Sequence, residues 1–322
     1  MTRKSKPRHD EMKKKVENYS NEYSGVISEI ERAALLHACL KSDHVIRAAT
    51  TIAFKRVPTN ARHAFIYSFS IGSDSFPAAT QIESGQKGQK KSTFRISVPI
   101  AFVHNLLKNT PTKGGLQPQN IDDYYFPSIL IATLAAYAHE LVHIIVGHLP
   151  TQESKAQELY ADRIGGGTTW GWILKANIQQ ICEISSTNIS SNCLYGFLHL
   201  ASALNKEHNK EGLYLPVAGR FAAFCSGAIF LDESKGKRGL HEFDKLLITG
   251  IKCPDSRFQS DTIQNTYTLI NSKEIFIEEE LLELIKQEQV EKPKWFNASQ
   301  MMAPIRRALQ QIAKRNTSEK QG

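Results

Sequence analysis

In the run Tyr137-Ala138-His139-Glu140-Leu141-Val142-His143, two histidines stand four residues apart and a glutamate directly follows the first. Residues four apart share one face of a helix, so the imidazoles of His139 and His143 can reach a single metal ion. Glu140 sits one step round, where its carboxylate can reach a water on the metal rather than the metal itself. That is the place of a general base, and the chemistry it supports is hydrolysis by an activated water. The flanking residues Leu141, Val142, Ile144, Ile145 and Val146 are apolar, as is the stretch before His139. The helix is therefore expected to be buried, where two histidines and a glutamate are costly unless they coordinate a metal.

A catalytic zinc ion normally has three protein ligands and one open position. His148, Glu153, Glu158 and Asp162 are the candidates for the third ligand. His148 falls on nearly the opposite side of a continuous helix from His139 and would reach the metal only if the helix broke at Gly147. Residues 152–164 read as a second helix, joined through Leu149-Pro150-Thr151 and able to pack antiparallel on the first. On it Glu158 and Asp162 are four apart, with the small Ala161 between them. Glu158 is read as the third ligand. Asp162 is read as the acceptor for the non-ligating nitrogen of one histidine. A developing oxyanion would also need an electrophile besides the metal. Tyr160 and His148 are candidates, together with Arg163, Tyr195, His199 and His208.

Other elements must hold these helices in place. Residues 1–24 read as a basic, flexible tail, and residues 26–49 as an amphipathic helix. Residues 62–71 and 93–98 alternate and are rich in aromatic and β-branched side chains, so they are expected to form an antiparallel hairpin across a long connection. Residues 99–108 read as a short helix opened by Pro99, and 110–123 as a loop. From Pro127 onward the pattern is helical, over 127–149, 152–164, 170–181, 193–205, 217–231, 254–270, 275–289 and 298–314. The expected fold is α+β and mostly α, with zincin-like catalytic helices beside a small antiparallel sheet. Residues 25–183 would form the catalytic domain and 184–322 a helical C-terminal region, either separate or continuous with it.

Composition sets bounds on function. The chain has 322 residues, of which 41% are hydrophobic and 22% charged, as in ordinary globular proteins. Its 5 cysteines are scattered and odd in number, which points to a reducing compartment. The N-terminus is basic but lacks the apolar stretch of a signal peptide. Residues 128–138 and 217–231 are apolar yet shorter than a membrane span, so the expectation is a cytoplasmic protein with no membrane partner. Much of the net charge of +8 lies near the two ends. Solvated basic tails account for that better than a nucleic-acid site does. The rival to hydrolysis is a catalytically inactive or basic nucleic-acid-binding protein, but an intact Glu140 has no purpose in a scaffold kept only for binding.

The sequence HELVHIIVGH followed by ELYADRIGG resembles the gluzincin branch of zinc metallopeptidases, in which an HExxH helix is followed by a helix carrying ExxxD. It is similar to soluble bacterial and phage-associated members, namely the ImmA/IrrE-type peptidases that cut repressors and the Lit-type phage-exclusion peptidases that cut a translation factor. Val142 stands where ImmA/IrrE-type members usually carry glycine, and no helix-turn-helix pattern flanks the motif. The resemblance implies zinc-dependent cleavage of a protein or peptide substrate, without specifying which one.

Overall fold

The computed structural model describes residues 6–22, 25, 27–54, 65–72, 76–82, 93–110, 118–146, 155–204 and 217–234. The helices expected over 254–270, 275–289 and 298–314, along with His148, Glu153 and His208, lie outside the described residues. The chain begins with helices α1 (Lys6–Glu22) and α2 (Glu29–Phe54), followed by strands β1 (Phe65–Ser70), β2 (Ala78–Ile82) and β3 (Thr93–Pro99). Helices α3 (Ile100–Lys108), α4 (Phe126–Val146), α5 (Lys155–Ile173), α6 (Ala176–Cys182), α7 (Ile189–Leu204) and α8 (Val217–Ser234) complete it. The described fold is α+β and mostly α.

The expected flexible tail is instead a helix over Lys6–Glu22. Its polar composition hides a stripe of Met12, Val16 and Tyr19, all buried, at helical spacing. Lys15 and Glu11, 2.8 Å apart, brace the outer face. Tyr19 Oη lies 3.0 Å from His104 Nδ1 on α3, and His104 Nε2 lies 2.8 Å from Glu31 Oε1 on α2. One buried imidazole thus ties three helices together.

The sheet also differs from expectation. Residues 62–71 and 93–98 do supply two strands, but β1 and β3 run parallel, with Phe65 opposite Phe94 and Ser70 opposite Pro99. The additional strand β2 lies antiparallel on the other side of β3, with Ala78 opposite Ser97 and Ile82 opposite Thr93. The order is β1-β3-β2, so the sheet is mixed and β3 is central. Two strands joined through a third can be parallel without a tight turn, which removes the hairpin constraint. The run Ala78–Ile82 escapes sequence reading because it is short and bears little of the β-branched patterning of its neighbours.

Helix α4 is the axis of the core. It is buried from Phe126 to Ala138 except at Pro127, and again at His139 and from Leu141 to Ile144. By length and composition it could cross a membrane, yet 83% of its most apolar window is buried inside the fold. Its apolarity is accounted for by the neighbours it packs against. Helix α5 does not end at Ile164 as expected but runs through Gly165-Gly166-Gly167 to Ile173. Glycine disfavours a helix by about 1 kcal/mol relative to alanine, and close packing here offsets that cost. A Cβ on Gly165 would lie 3.1 Å from His139 N, and one on Gly167 would lie 2.8 Å from Gly227 O. A Cβ on Gly166 would collide with the Phe224 carbonyl, and one on Gly227 with the Arg163 carbonyl. Helices α5 and α8 therefore cross backbone to backbone.

Helices α7 and α8 join the same core as α4. The Phe197 and Phe224 rings stack with centroids 5.5 Å apart, and Gly196 lies against the Ile131 side chain. The described residues of α7 and α8 pack in the same hydrophobic cluster as α4.

Two predictions follow from this packing. Gly227→Ala should lower the unfolding free energy by about 3 kcal/mol in urea titration, because overpacking a rigid crossing forces backbone shifts. His199 on α7 is 1% exposed, and burial, only partly offset by the Leu106 carbonyl, lowers its pKa to about 4. The folded state therefore favours the neutral ring, and the associated stability is complete above pH 6.5 and lost as pH falls from there towards 4. The expected loss is about 3 kcal/mol, absent from His199→Leu when unfolding is followed across that range.

Candidate metal centre

Each side chain of the centre is placed by local helix geometry. His139 and His143 lie in the last two turns of α4, Glu158 in the first turn of α5 and Asp162 one turn further on. The helix polarity suits this arrangement: the C-terminal end of α4 attracts a cation, and the N-terminal end of α5 favours the Glu158 carboxylate.

The two Nε2 atoms of His139 and His143 are 3.1 Å apart. Glu158 Oε2 is 3.2 Å from His139 Nε2, and Glu158 Oε1 is 3.4 Å from His143 Nε2. All three residues are buried, and together they form a group able to hold a metal ion. Three groups able to donate to a metal converge on one another in a buried part of the fold.

The remaining partners are arranged around this triangle. His139 turns its Nδ1 towards Asp162 Oδ1, at 2.8 Å. Asp162 is 1% exposed and also accepts two bonds from Arg220 of α8, Nε to Oδ2 and Nη2 to Oδ1, each 2.8 Å. Arg220 Nη2 stands 3.9 Å from Glu158 Oε2. Glu140 Oε1 is 4.0 Å from His139 Nε2, beside the triangle and not part of it. Its Oε2 accepts a bond of 2.7 Å from the Ala79 amide of β2.

These neighbours set the protonation of the groups. Burial alone would depress His139, but Asp162 and Glu158 outweigh it and raise its pKa to about 10. Burial pushes Glu158 up, yet His139, His143 and Arg220 together bring it down to about 2. In Glu140 burial dominates and lifts the carboxyl to about 7; the Glu158 charge adds to this, and the His139 charge and Ala79 amide oppose it. Two carboxylates a few ångströms apart are thus driven in opposite directions, the pattern by which a site separates a ligand from a base.

His139, His143, Glu158, Asp162 and Glu140 are therefore brought together as the sequence spacing implies. Tyr160 is 2% exposed and packs with Val142, Ala161 and Ile164 in a small apolar cluster. His199 lies in the main core near Leu106. Two members of the site were missed. Arg220 carries a visible signal, a single charge in the otherwise apolar run VAGRFAAF, whereas the Ala79 amide carries none. No family model, curated protein or solved structure matches the chain.

Because Asp162 orients His139, Asp162→Ala should weaken metal binding about 10- to 100-fold. Competition against a chelator of known affinity measures this, with Glu158→Ala as the variant that loses a ligand outright.

Proposed function

We propose that the protein is a zinc-dependent endopeptidase in which His139, His143 and Glu158 hold the ion and Glu140 is the general base. The observation that carries this reading is the donor triangle together with the placement of Glu140 outside it. Donors about 2.0–2.1 Å from a tetrahedral zinc ion lie about 3.3 Å from one another; the two Nε2 atoms are 3.1 Å apart, and the Glu158 carboxylate faces both, Oε2 at 3.2 Å from His139 and Oε1 at 3.4 Å from His143. Two imidazoles and one carboxylate are also a common donor set of a hydrolytic zinc site, leaving one position open. The resemblance to gluzincins in HELVHIIVGH and ELYADRIGG supports the same assignment and suggests a protein as substrate.

When bound, zinc supplies Lewis acidity, polarising a carbonyl and making a water acidic near neutral pH. Glu140 takes the proton of the attacking water and passes it to the leaving amine. Burial raises its carboxyl above the ordinary carboxylate range, the direction that favours a group able to accept a proton. Asp162, 2.8 Å from His139 Nδ1, would hold that ring with its Nε2 turned to Glu158. Arg220 neutralises Asp162 and stands beside Glu158, holding both carboxylates in an otherwise apolar region.

An extended peptide can pair with an exposed sheet edge. Among the described strands β3 is central and offers no edge. Strands β1 and β2 are the edges among the described residues, and on β2 the Ala79 amide is already bonded to Glu140.

Glu140→Gln tests the reading. It should keep about one zinc per chain by elemental analysis and lower peptide hydrolysis by a factor of about 10²–10⁴. A variant that still cleaves at the parental rate would exclude Glu140 as the base.

A further inference from the structure

We propose that the main-chain amide of Ala79 is a positioning group for Glu140, so that the sheet aims the base through its backbone and not through any side chain. This inference rests on the peptidase reading in one respect only: it takes the group being aimed to be the base.

Among the described residues strand β2 lies at the edge of the sheet, paired with β3 on one side. Opposed residues in an antiparallel pair alternate between exchanging hydrogen bonds and facing away from each other. Ala79 stands opposite Ile96, and its N–H is directed out of the sheet to Glu140 Oε2, at 2.7 Å. It therefore belongs to a pair that leaves its amide outside the ladder. A glutamate side chain has three rotatable bonds, so without a fixed partner the carboxylate would sample many orientations. The bond from Ala79 pins one oxygen. The other, Oε1, remains on the metal side, 4.0 Å from His139 Nε2, with its lone pairs available to a water. A charge-assisted bond of this kind holds geometry more tightly than a neutral one, and small misplacements of a reacting group are expensive in rate.

The contact has a distinctive consequence. Because the donor belongs to the backbone, changing the Ala79 side chain should leave it intact, whereas proline, which lacks the N–H, should abolish it. The ladder should survive, since the lost amide faces away from β3.

Two measurements decide the matter. In the zinc-loaded protein, hydrogen exchange at the Ala79 amide should be slow in the parent and at least tenfold faster in Glu140→Ala. Equal exchange rates would overturn the proposal without reference to any substrate. On a cleavable peptide, Ala79→Pro should lower kcat about 10- to 100-fold with KM and zinc content unchanged, whereas Ala79→Ser behaves like the parent. Ala79→Pro should add nothing in a Glu140→Gln background. A rise in KM at constant kcat, or an equal loss in that background, would show that β2 acts on the substrate and not on the base, and would overturn the proposal. If no peptide is cleaved by the parent, the peptidase reading fails, and the exchange measurement alone decides whether Ala79 holds Glu140.

Discussion

The carboxylate of Asp162 is the constraint on which the centre depends. It is almost fully buried, hydrogen-bonded by Arg220 on one side and 2.8 Å from His139 Nδ1 on the other. A carboxylate in such a place is strongly disfavoured unless it is paired and hydrogen-bonded. Its partners come from α4 and α8, so its burial requires α4, α5 and α8 to meet. The glycines of α5 and Gly227 of α8 let the backbones approach closely enough for this. A buried ion pair contributes little net stability compared with an apolar packing of the same volume. Its presence is explained by what it does to His139 and Glu158, not by any contribution to holding the fold together.

Helix α4 serves as both core and site. Tyr137, two residues before His139, donates or accepts a bond of 2.8 Å with Thr50 of α2. Its ring centroid lies 5.9 Å from that of Tyr67 on β1 and 6.2 Å from that of Trp172 on α5. The turn carrying the first histidine is thereby fixed from three directions before any ligand contact is counted. Sites held within a fraction of an ångström need this kind of supporting packing. The apolar stretch that looks like a candidate span in the sequence is the anchor that makes the histidines rigid.

Charge is distributed with the same economy. Glu158 and Glu140 flank the same imidazole, yet Arg220 reaches the first and a neutral backbone amide the second. A cation beside a carboxylate keeps it ionised and ready to ligate. Burial raises the Glu140 carboxyl, and the Ala79 amide and the His139 and Arg220 charges offset this only in part. The opposite shifts of these two chemically similar side chains come from what stands behind each of them.

The amino-acid sequence by itself determined the features that depend on neighbours along the chain. The four-residue spacing of His139 and His143, and of Glu158 and Asp162, fixes a shared helix face wherever the helices form. The strands at 65–70 and 93–99 and the helix opened by Pro99 follow equally from local pattern. The helix at 6–22 was obscured because its buried stripe is three residues wide in a charged background. The glycine run at 165–167 was misread because a helix breaker in isolation is a close-packing residue when another helix lies against it. Only the tertiary structure decided the contacts between Asp162 and Arg220, 58 residues apart, and between Ala79 and Glu140, 61 apart. A charge in an apolar helix announces that it needs a partner without naming it. A backbone amide, identical at every residue except proline, announces nothing until the fold sets it against a carboxylate.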